Sequence, residues 1–377
     1  MPAMKPRILH LGKYFPPHMG GMETHLQELI DGTTDRYDIE ALVANDYATR
    51  QVDFVGGAKI TRMPTLGTVA SMPITPTLPF DLSQSVADLV HVHSPNPAAA
   101  FAIAVTGYRG PLIITHHSDI LGRRQLYRAA APFVRAMMQR ADAIIATSQR
   151  YLESSEELRP YREKCRVIPL GISRHAFEAA PSLEEVQRMR TTFGPRLVLA
   201  VGRLVEYKGF AYLIRAMEHM DATLAIIGAG PQASSLSSLV SQLNLQDKVH
   251  LVGQVPQLAP YLAAAQMLVM PSVTRAEAFG MVQLEAMAAA LPVVNTDIQS
   301  AVPEVSLHGE TGLTVLPANP VALAGAIQTL LENDELRIQM GIAARKRAQT
   351  YFGADTINKR VAELYEDVLR QRSKIRR

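Results

Sequence analysis

The sequence contains one cysteine and no tryptophan. A single thiol, Cys165, excludes an internal disulfide framework and any multi-cysteine zinc site. The longest uncharged, helix-compatible apolar stretch, residues 258–270, contains Pro260 and is too short to span a bilayer. The opening MPAMKPRILHLGKYFPP has no apolar run long enough for a signal peptide, so the expectation is a cytoplasmic protein, or one peripheral on the cytoplasmic membrane face. Charged residues make up 19% against 47% hydrophobic, which excludes a largely disordered chain. The net charge of +3 does not point to nucleic acid. No two aspartates stand two apart, and the G-x-x-x-x-G-K-[ST], G-x-S-x-G and H-E-x-x-H patterns are missing. No required metal is therefore expected, and no cofactor.

What is present is an alternation. Runs rich in Val, Ile and Leu recur as RILHL (7–11), IEALVA (39–44), LVHVH (89–93), LIITH (112–116) and AIIATS (143–148). A second series follows: LVLAVG (197–202), TLAIIG (223–228), VHLVG (249–253), MLVMPS (267–272) and PVVNT (292–296). They alternate little between apolar and polar, as expected of parallel strands buried on both faces, and helix-spaced segments separate them. The fold class is α/β with parallel sheets. At 377 residues two domains are expected, because one core rarely grows so large. The series restarts near Leu197, so the expected division is 1–170, 171–355 and a terminal helix, 356–377, which could cross back to the first domain. Residues 64–79 hold four prolines and are expected to form a loop.

Five constellations could carry chemistry. Glu277 and Glu285 are eight apart, and Phe279-Gly280 separates strand from helix between them. One carboxylate then sits on a loop and the other on a helix whose free N–H groups suit an anion. Acidic residues near a helix start are also favoured by its dipole alone. Arg203 and Lys208 follow a buried strand at its carboxyl end, where they can clamp a diphosphate or simply be solvated. Gly20 and Gly21 after the first strand permit close backbone approach to a phosphate, or merely a tight turn. His116 and His117 end another strand, where a histidine is either structural or faces substrate. Gly228-Ala-Gly-Pro-Gln-Ala233 imitates a dinucleotide fingerprint, but Pro231 interrupts it and Asp247 precedes rather than ends the next strand.

The motifs GGMETH, DLVHVHSP, TxH at Thr115–His117, ADAIIATS, VIPLGI, VGRLVEYKG, IIGAGP, SVTRAEAFGMVQLEAMA and VPEV…GETGL, in this order, resemble the retaining glycosyltransferases of family 4. The likeness spans nearly the whole chain, and its E-x7-E element is the most specific. It implies the GT-B fold, two Rossmann-like domains facing a central cleft, with an acceptor-binding N-terminal domain and a nucleotide-sugar-binding C-terminal domain. It implies that Arg203 and Lys208 hold the diphosphate and Glu285 the ribose hydroxyls. Glu277, with the backbone of Phe279, Gly280 and Met281, would take the transferred sugar; Gly20 and Gly21 would close over the phosphates. His117 would act near the anomeric carbon, with His116 as the alternative one residue away. Ala301 departs from the glycine usual before VPEV.

The resemblance is greatest to mannosyltransferases of bacterial polysaccharide clusters. GDP-mannose is the favoured donor, with UDP-sugars behind it, and a saccharide on a polyprenyl diphosphate is the expected acceptor. Six arginines between 109 and 140 face a single acid, Asp119, and Leu121, Leu126, Tyr127, Phe133, Val134 and Met137 are interspersed among them. Such a basic amphipathic segment can lie on an anionic membrane, with Arg123, Arg124 and Arg128 facing it, or be a solvated helix face. An NAD-dependent oxidoreductase and a non-catalytic sugar-nucleotide-binding protein are the rival readings.

Overall fold

A computed structural model describes residues 4–18, 20–69, 72–119, 124–178 and 180–375. The chain divides into two compact units, residues 1–171 with 354–377, and residues 172–353.

The strands of the first unit are β1 (Arg7–Leu11), β2 (Asp38–Ala44), β3 (Gln51–Val55), β4 (Ala58–Met63), β5 (Thr68–Val69), β6 (Met72–Pro73), β7 (Leu89–Ser94), β8 (Leu112–His116), β9 (Ala143–Ala146) and β10 (Cys165–Val167). Eight form one sheet in the order β10-β9-β8-β7-β1-β2-β4-β3, parallel except that β3 runs against β4. Every residue of β7, β8 and β9 is buried, which is why these runs show no polar alternation. Crossover helices cover both faces. One of them, Pro97–Thr106, is fixed at its start by the Asn96 side chain accepting from Ala99 N at 3.0 Å, with proline in its first turn, and ends on left-handed Gly107.

The second unit contains β11 (Leu197–Val201), β12 (Thr223–Ile227), β13 (Val249–Gly253), β14 (Met267–Met270), β15 (Val293–Thr296) and β16 (Gly312–Val315), all parallel. Their order is β13-β12-β11-β14-β15-β16. Its core joins Val198, Leu224, Ile226, Met267 and Val294 to Phe210, Leu213 and Ile327 from the helices. Each fully buried side chain of this size contributes about 1.5–3 kcal/mol.

Counted from β11, the second sheet runs 3-2-1-4-5-6, the doubly wound order, and it reverses between β11 and β14. Ligands of such sheets bind outside the carboxyl ends at that reversal. The loops after β11 and β14 carry Arg203, Lys208 and Glu277. In the first unit the reversal lies between β1 and β7, and the loop after β1 carries Gly20.

The terminal helix, Ala354–Ile375, is part of the first unit. Tyr365 is fully buried with its hydroxyl 2.6 Å from His91 Nδ1, Tyr37 donates to Ala362 O at 3.2 Å, and Asn358 donates to Glu28 O at 3.1 Å.

The strand series omitted β3, β4, β10 and β16. The β3–β4 hairpin turns on Gly56 and Gly57 at the sheet edge, where Val52 and Phe54 are exposed and a run of buried apolar residues does not form. Residues 64–79 are not loop throughout: β5 pairs with β6, and the helix Leu78–Gln84 begins with Pro79 in its first turn.

Gly209 adopts a left-handed φ of 70°, and a Cβ there would stand 2.0 Å from Pro271 O. Gly209→Ala is therefore expected to destabilise by at least about 1–3 kcal/mol, through both backbone strain and collision. Gly325, exposed inside the helix Pro320–Glu332 with open space around it, should respond oppositely: Gly325→Ala gains about 0.5–1 kcal/mol. Urea denaturation of the two variants checks both signs.

Candidate active site

At the reversal of the second sheet, two loops dock by backbone: Val273 N donates to Tyr207 O at 2.8 Å. Across this junction Lys208 Nζ forms an ion pair with Glu277 Oε2, and the two side chains are only 12% and 9% exposed. Ser272 donates to the same Glu277 oxygen at 3.2 Å, and Ser272 O in turn accepts from Thr296 Oγ1. Both contacts fall on Oε2, so Oε1 has no partner among the described residues. Burial works against the Lys208 charge, but the Glu277 carboxylate and its hydrogen bond outweigh it and raise the ammonium above the ordinary lysine range.

Arg203, on the same loop as Lys208, is exposed, and its side chain has no hydrogen-bond or ion-pair partner among the described residues. After Glu277 the chain passes buried Phe279 and left-handed Gly280 (φ 74°) into the helix Met281–Ala288, whose start has no side-chain cap. Its first-turn N–H groups are the donors that such a terminus offers an anion. Glu285 lies on this helix one turn further in. Burial raises its carboxyl to about 7, and no side chain bonds it among the described residues. Ala301 N donates to Ala278 O at 2.9 Å, so the loop holding the departure from the family pattern braces the glutamate loop.

The glycines of Gly228-Ala-Gly230 are occupied by packing. A Cβ on Gly228 would lie 2.0 Å from Gly202 O, and Leu204 N donates to Ala229 O at 3.0 Å. These glycines let one turn pack directly against the next.

In the first unit, Gly20 is extended at the start of the helix Gly21–Asp31, and the buried Glu23 carboxylate fills the space where its Cβ would be. Burial raises the Glu23 carboxyl. The open approach to the glycine pair expected from the sequence is thus lined by an acid.

His117 N donates to Ser94 O at 2.9 Å, which fixes the residue just beyond β8. It is 5% exposed and belongs to a buried group with His10, His25, His91 and His93. His116 is committed elsewhere, to Tyr151 at 2.6 Å and Glu157 at 3.2 Å. Sequence reasoning missed this group: HVH in β7 and the histidine of β1 read as strand residues, and only the register His10 beside His91 brings them together. Ring nitrogens of His10, His91 and His93, and of His25, His93 and His117, come within 4.8 Å of one another, the spacing of candidate metal ligands. Those of His10, His93 and His117 already face each other in hydrogen bonds.

The basic segment forms the helix Arg124–Arg140. Val134 and Met137, two of the apolar residues interspersed among the arginines, are 6% and 1% exposed and belong to the core. Arg140 is spent on the carbonyls of Tyr108 and Gly110. Arg128 is exposed; Arg123 lies outside the described residues, as does the side chain of Arg124. A pocket of about 420 Å³ lined by Ile103, Tyr108, Arg109, Met137, Arg140 and Arg372 sits at the amino ends of β8 and β9, the side of the sheet away from the switch point.

Two α/β units, one of them doubly wound with cations and carboxylates at its switch point, define a GT-B glycosyltransferase. Residues 184–347 match the family described as glycosyl transferases group 1, and residues 19–175 match Glycosyltransferase Family 4. The D-rhamnosyltransferase WbpZ of Pseudomonas aeruginosa is 34% identical over 270 residues, 71% of this chain and 70% of its own. O-antigen chain mannosyltransferase C of Escherichia coli is 27% identical over 378 residues, 97% and 100% of the two chains. Among solved structures, sucrose-phosphate synthase from Thermosynechococcus elongatus superposes with a TM-score of 0.80 at 22% identity, over 97% of this chain and 100% of that one. HepE of Anabaena in complex with UDP gives 0.76 at 21%, over 96% and 100%. The chain belongs to glycosyltransferase family 4.

Removing one member of a buried ion pair strands the other. Glu277→Gln should lower stability by about 3–5 kcal/mol, and adding Lys208→Met should recover much of that loss. The Lys208 contribution has a definite sign. Its folded value is raised, so the stabilisation is complete below the unfolded lysine value and is lost as pH rises through the folded one. Urea midpoints measured from neutral to strongly alkaline pH should fall more steeply for the native protein than for the double variant.

Proposed function

We propose that this enzyme transfers a hexose, with mannose favoured, from a nucleotide diphosphate sugar to a saccharide acceptor with retention at the anomeric carbon. The observation that carries this reading is the pairing of Lys208 with Glu277 at the switch point, with Arg203 and Glu285 unpartnered beside it on the same two loops and their helix. Arg203 and Lys208 bind the diphosphate and stabilise the charge that grows on it as the glycosidic bond breaks. Glu285 accepts from the ribose hydroxyls. Glu277, through Oε1, and the Phe279–Met281 backbone hold the transferred sugar. Gly20, Gly21 and His117 are the contribution of the first unit, which takes the acceptor, and the second unit takes the donor.

As the sugar becomes oxocarbenium-like, the acceptor hydroxyl attacks from the face the diphosphate leaves, and a leaving phosphate oxygen takes its proton. Two partners on Glu277 Oε2 suit a positioning role better than that of a covalent nucleophile. No metal or cofactor takes part in this scheme. GDP-mannose is the favoured donor, supported by relatives named as mannosyl- and rhamnosyltransferases, with UDP-sugars second because HepE binds UDP. The acceptor is proposed to be linked to a polyprenyl diphosphate, and the enzyme to be peripheral on the cytoplasmic face of a bacterial membrane. No helix among the described residues is long and apolar enough to cross a membrane.

A thermal-shift panel of GDP-, UDP- and ADP-sugars tests the donor, because only a ligand that prefers the native state raises its melting point. GDP-mannose should give the largest shift, and nucleotide release with anomeric retention, read by NMR of the product, should follow. Binding without release under any acceptor would leave a sensor rather than an enzyme. Burial raises the Glu285 carboxyl to about 7, and a carboxylate accepts from hydroxyls more strongly than the neutral acid, so donor affinity should weaken as pH falls below about 7. In Glu285→Gln that pH dependence should vanish.

Val134 and Met137 of the helix Arg124–Arg140 are core residues, so the proposed membrane attraction is electrostatic. Binding to phosphatidylglycerol vesicles should be strong at low salt and lost at high salt. Neutralising Arg123, Arg124 and Arg128 should reduce it; unchanged binding by that variant would argue against this surface.

A further inference from the structure

The buried histidines of the first unit form a line of hydrogen bonds with one closed end. His10 Nδ1 faces His93 Nε2 at 3.1 Å, and His93 Nδ1 faces His117 Nε2 at 3.3 Å. At the far end His10 Nε2 is sealed from solvent with no partner, and the neighbouring His25 Nδ1 is in the same condition. His117 Nδ1 also has no partner among the described residues, but it is not sealed.

Each ring is neutral. Burial, then repulsion by His25, holds His10 down to about 3; burial holds His25 to about 4; burial and the surrounding imidazoles keep His93 and His117 well below the ordinary range. A neutral imidazole has one N–H and one bare nitrogen, so in a line of three the protons all point the same way. Only two orders exist. In one, the sealed His10 Nε2 carries a proton that reaches no acceptor; in the other it is a bare lone pair. Orphaned buried N–H groups are rarer than under-satisfied acceptors, so the second order is preferred. His10 then donates from Nδ1 to His93, and His93 donates from Nδ1 to His117 Nε2.

We infer that His10 and His93 are positioning residues that fix His117 as the Nδ1–H tautomer, so that it meets substrate as a hydrogen-bond donor and not as a general base. The inference rests on the proposed role of His117 near the reacting sugar. A donor at this point suits an oxygen acceptor, either a hydroxyl of the transferred sugar or an oxygen of the diphosphate. It also agrees with a scheme in which the leaving phosphate, not a protein base, takes the acceptor proton.

Two-bond proton–nitrogen NMR correlation of 15N-histidine-labelled native protein reads the tautomers directly. The expected spectrum shows protonated Nδ1 and bare Nε2 for His10, His93 and His117; a proton on His117 Nε2 would overturn the inference. His10→Asn places an amide N–H where Nδ1 donates, whereas His10→Leu removes the donor. His10→Leu should therefore lower kcat about tenfold, the effect of losing one oriented hydrogen bond, with KM for the nucleotide sugar little changed. His10→Asn should restore most of the rate. Equal loss in both variants would mean that the ring only fills space, which defeats the proton-order role. If the native tautomers are as expected but His117→Ala turns over normally, the role given to His117 in the reaction is wrong, while the proton order in the cluster stands.

Discussion

The arrangement of the second unit depends on placing a buried lysine against a buried glutamate at the point where a parallel sheet reverses its strand order. Neither charge tolerates burial alone, so the loops after β11 and β14 must dock in one register, held by the Val273–Tyr207 backbone bond and by Ser272. That docking leaves Arg203 outward and aims the uncapped helix start and Glu285 at the same end of the sheet. The order 3-2-1-4-5-6 brings β11 beside β14, although about 65 residues separate them in the chain. The charges are thus a consequence of topology, and in return they hold the topology's loops in place.

The first unit uses polar burial differently. Near its reversal point lie neutral imidazoles from β1, β7, the end of β8 and the helix Gly21–Asp31, with His91 bonded to Tyr365 of the terminal helix. Desolvation keeps these rings uncharged. One unit therefore holds paired charge at its switch point, and the other holds neutral imidazoles.

Much of the fold was legible. Strands buried on both faces lose polar alternation, so β1, β7, β8, β11 and β12 could be read as Val/Ile/Leu runs. The edge hairpin β3–β4 and the short β10 and β16 escaped because an edge or a three-residue strand leaves no such run. In the basic segment the pattern suggested an amphipathic face, and two of its apolar residues, Val134 and Met137, are core residues. Sequence shows that a helix has an apolar side, and not which neighbour covers it.

By itself the sequence determined the α/β class, the order of the motifs and the candidate donor residues, because strand burial and loop chemistry are written locally. Only tertiary structure decided that Lys208 is spent on Glu277, that Glu23 fills the space beside Gly20, and that five histidines from β1, β7, the end of β8 and a helix share one core. Apart from Glu23 and Gly20, which are neighbours in the chain, those contacts join residues tens of positions apart. Strand register sets them, together with the requirement that a buried polar atom find a partner, and neither is visible in any single stretch of chain.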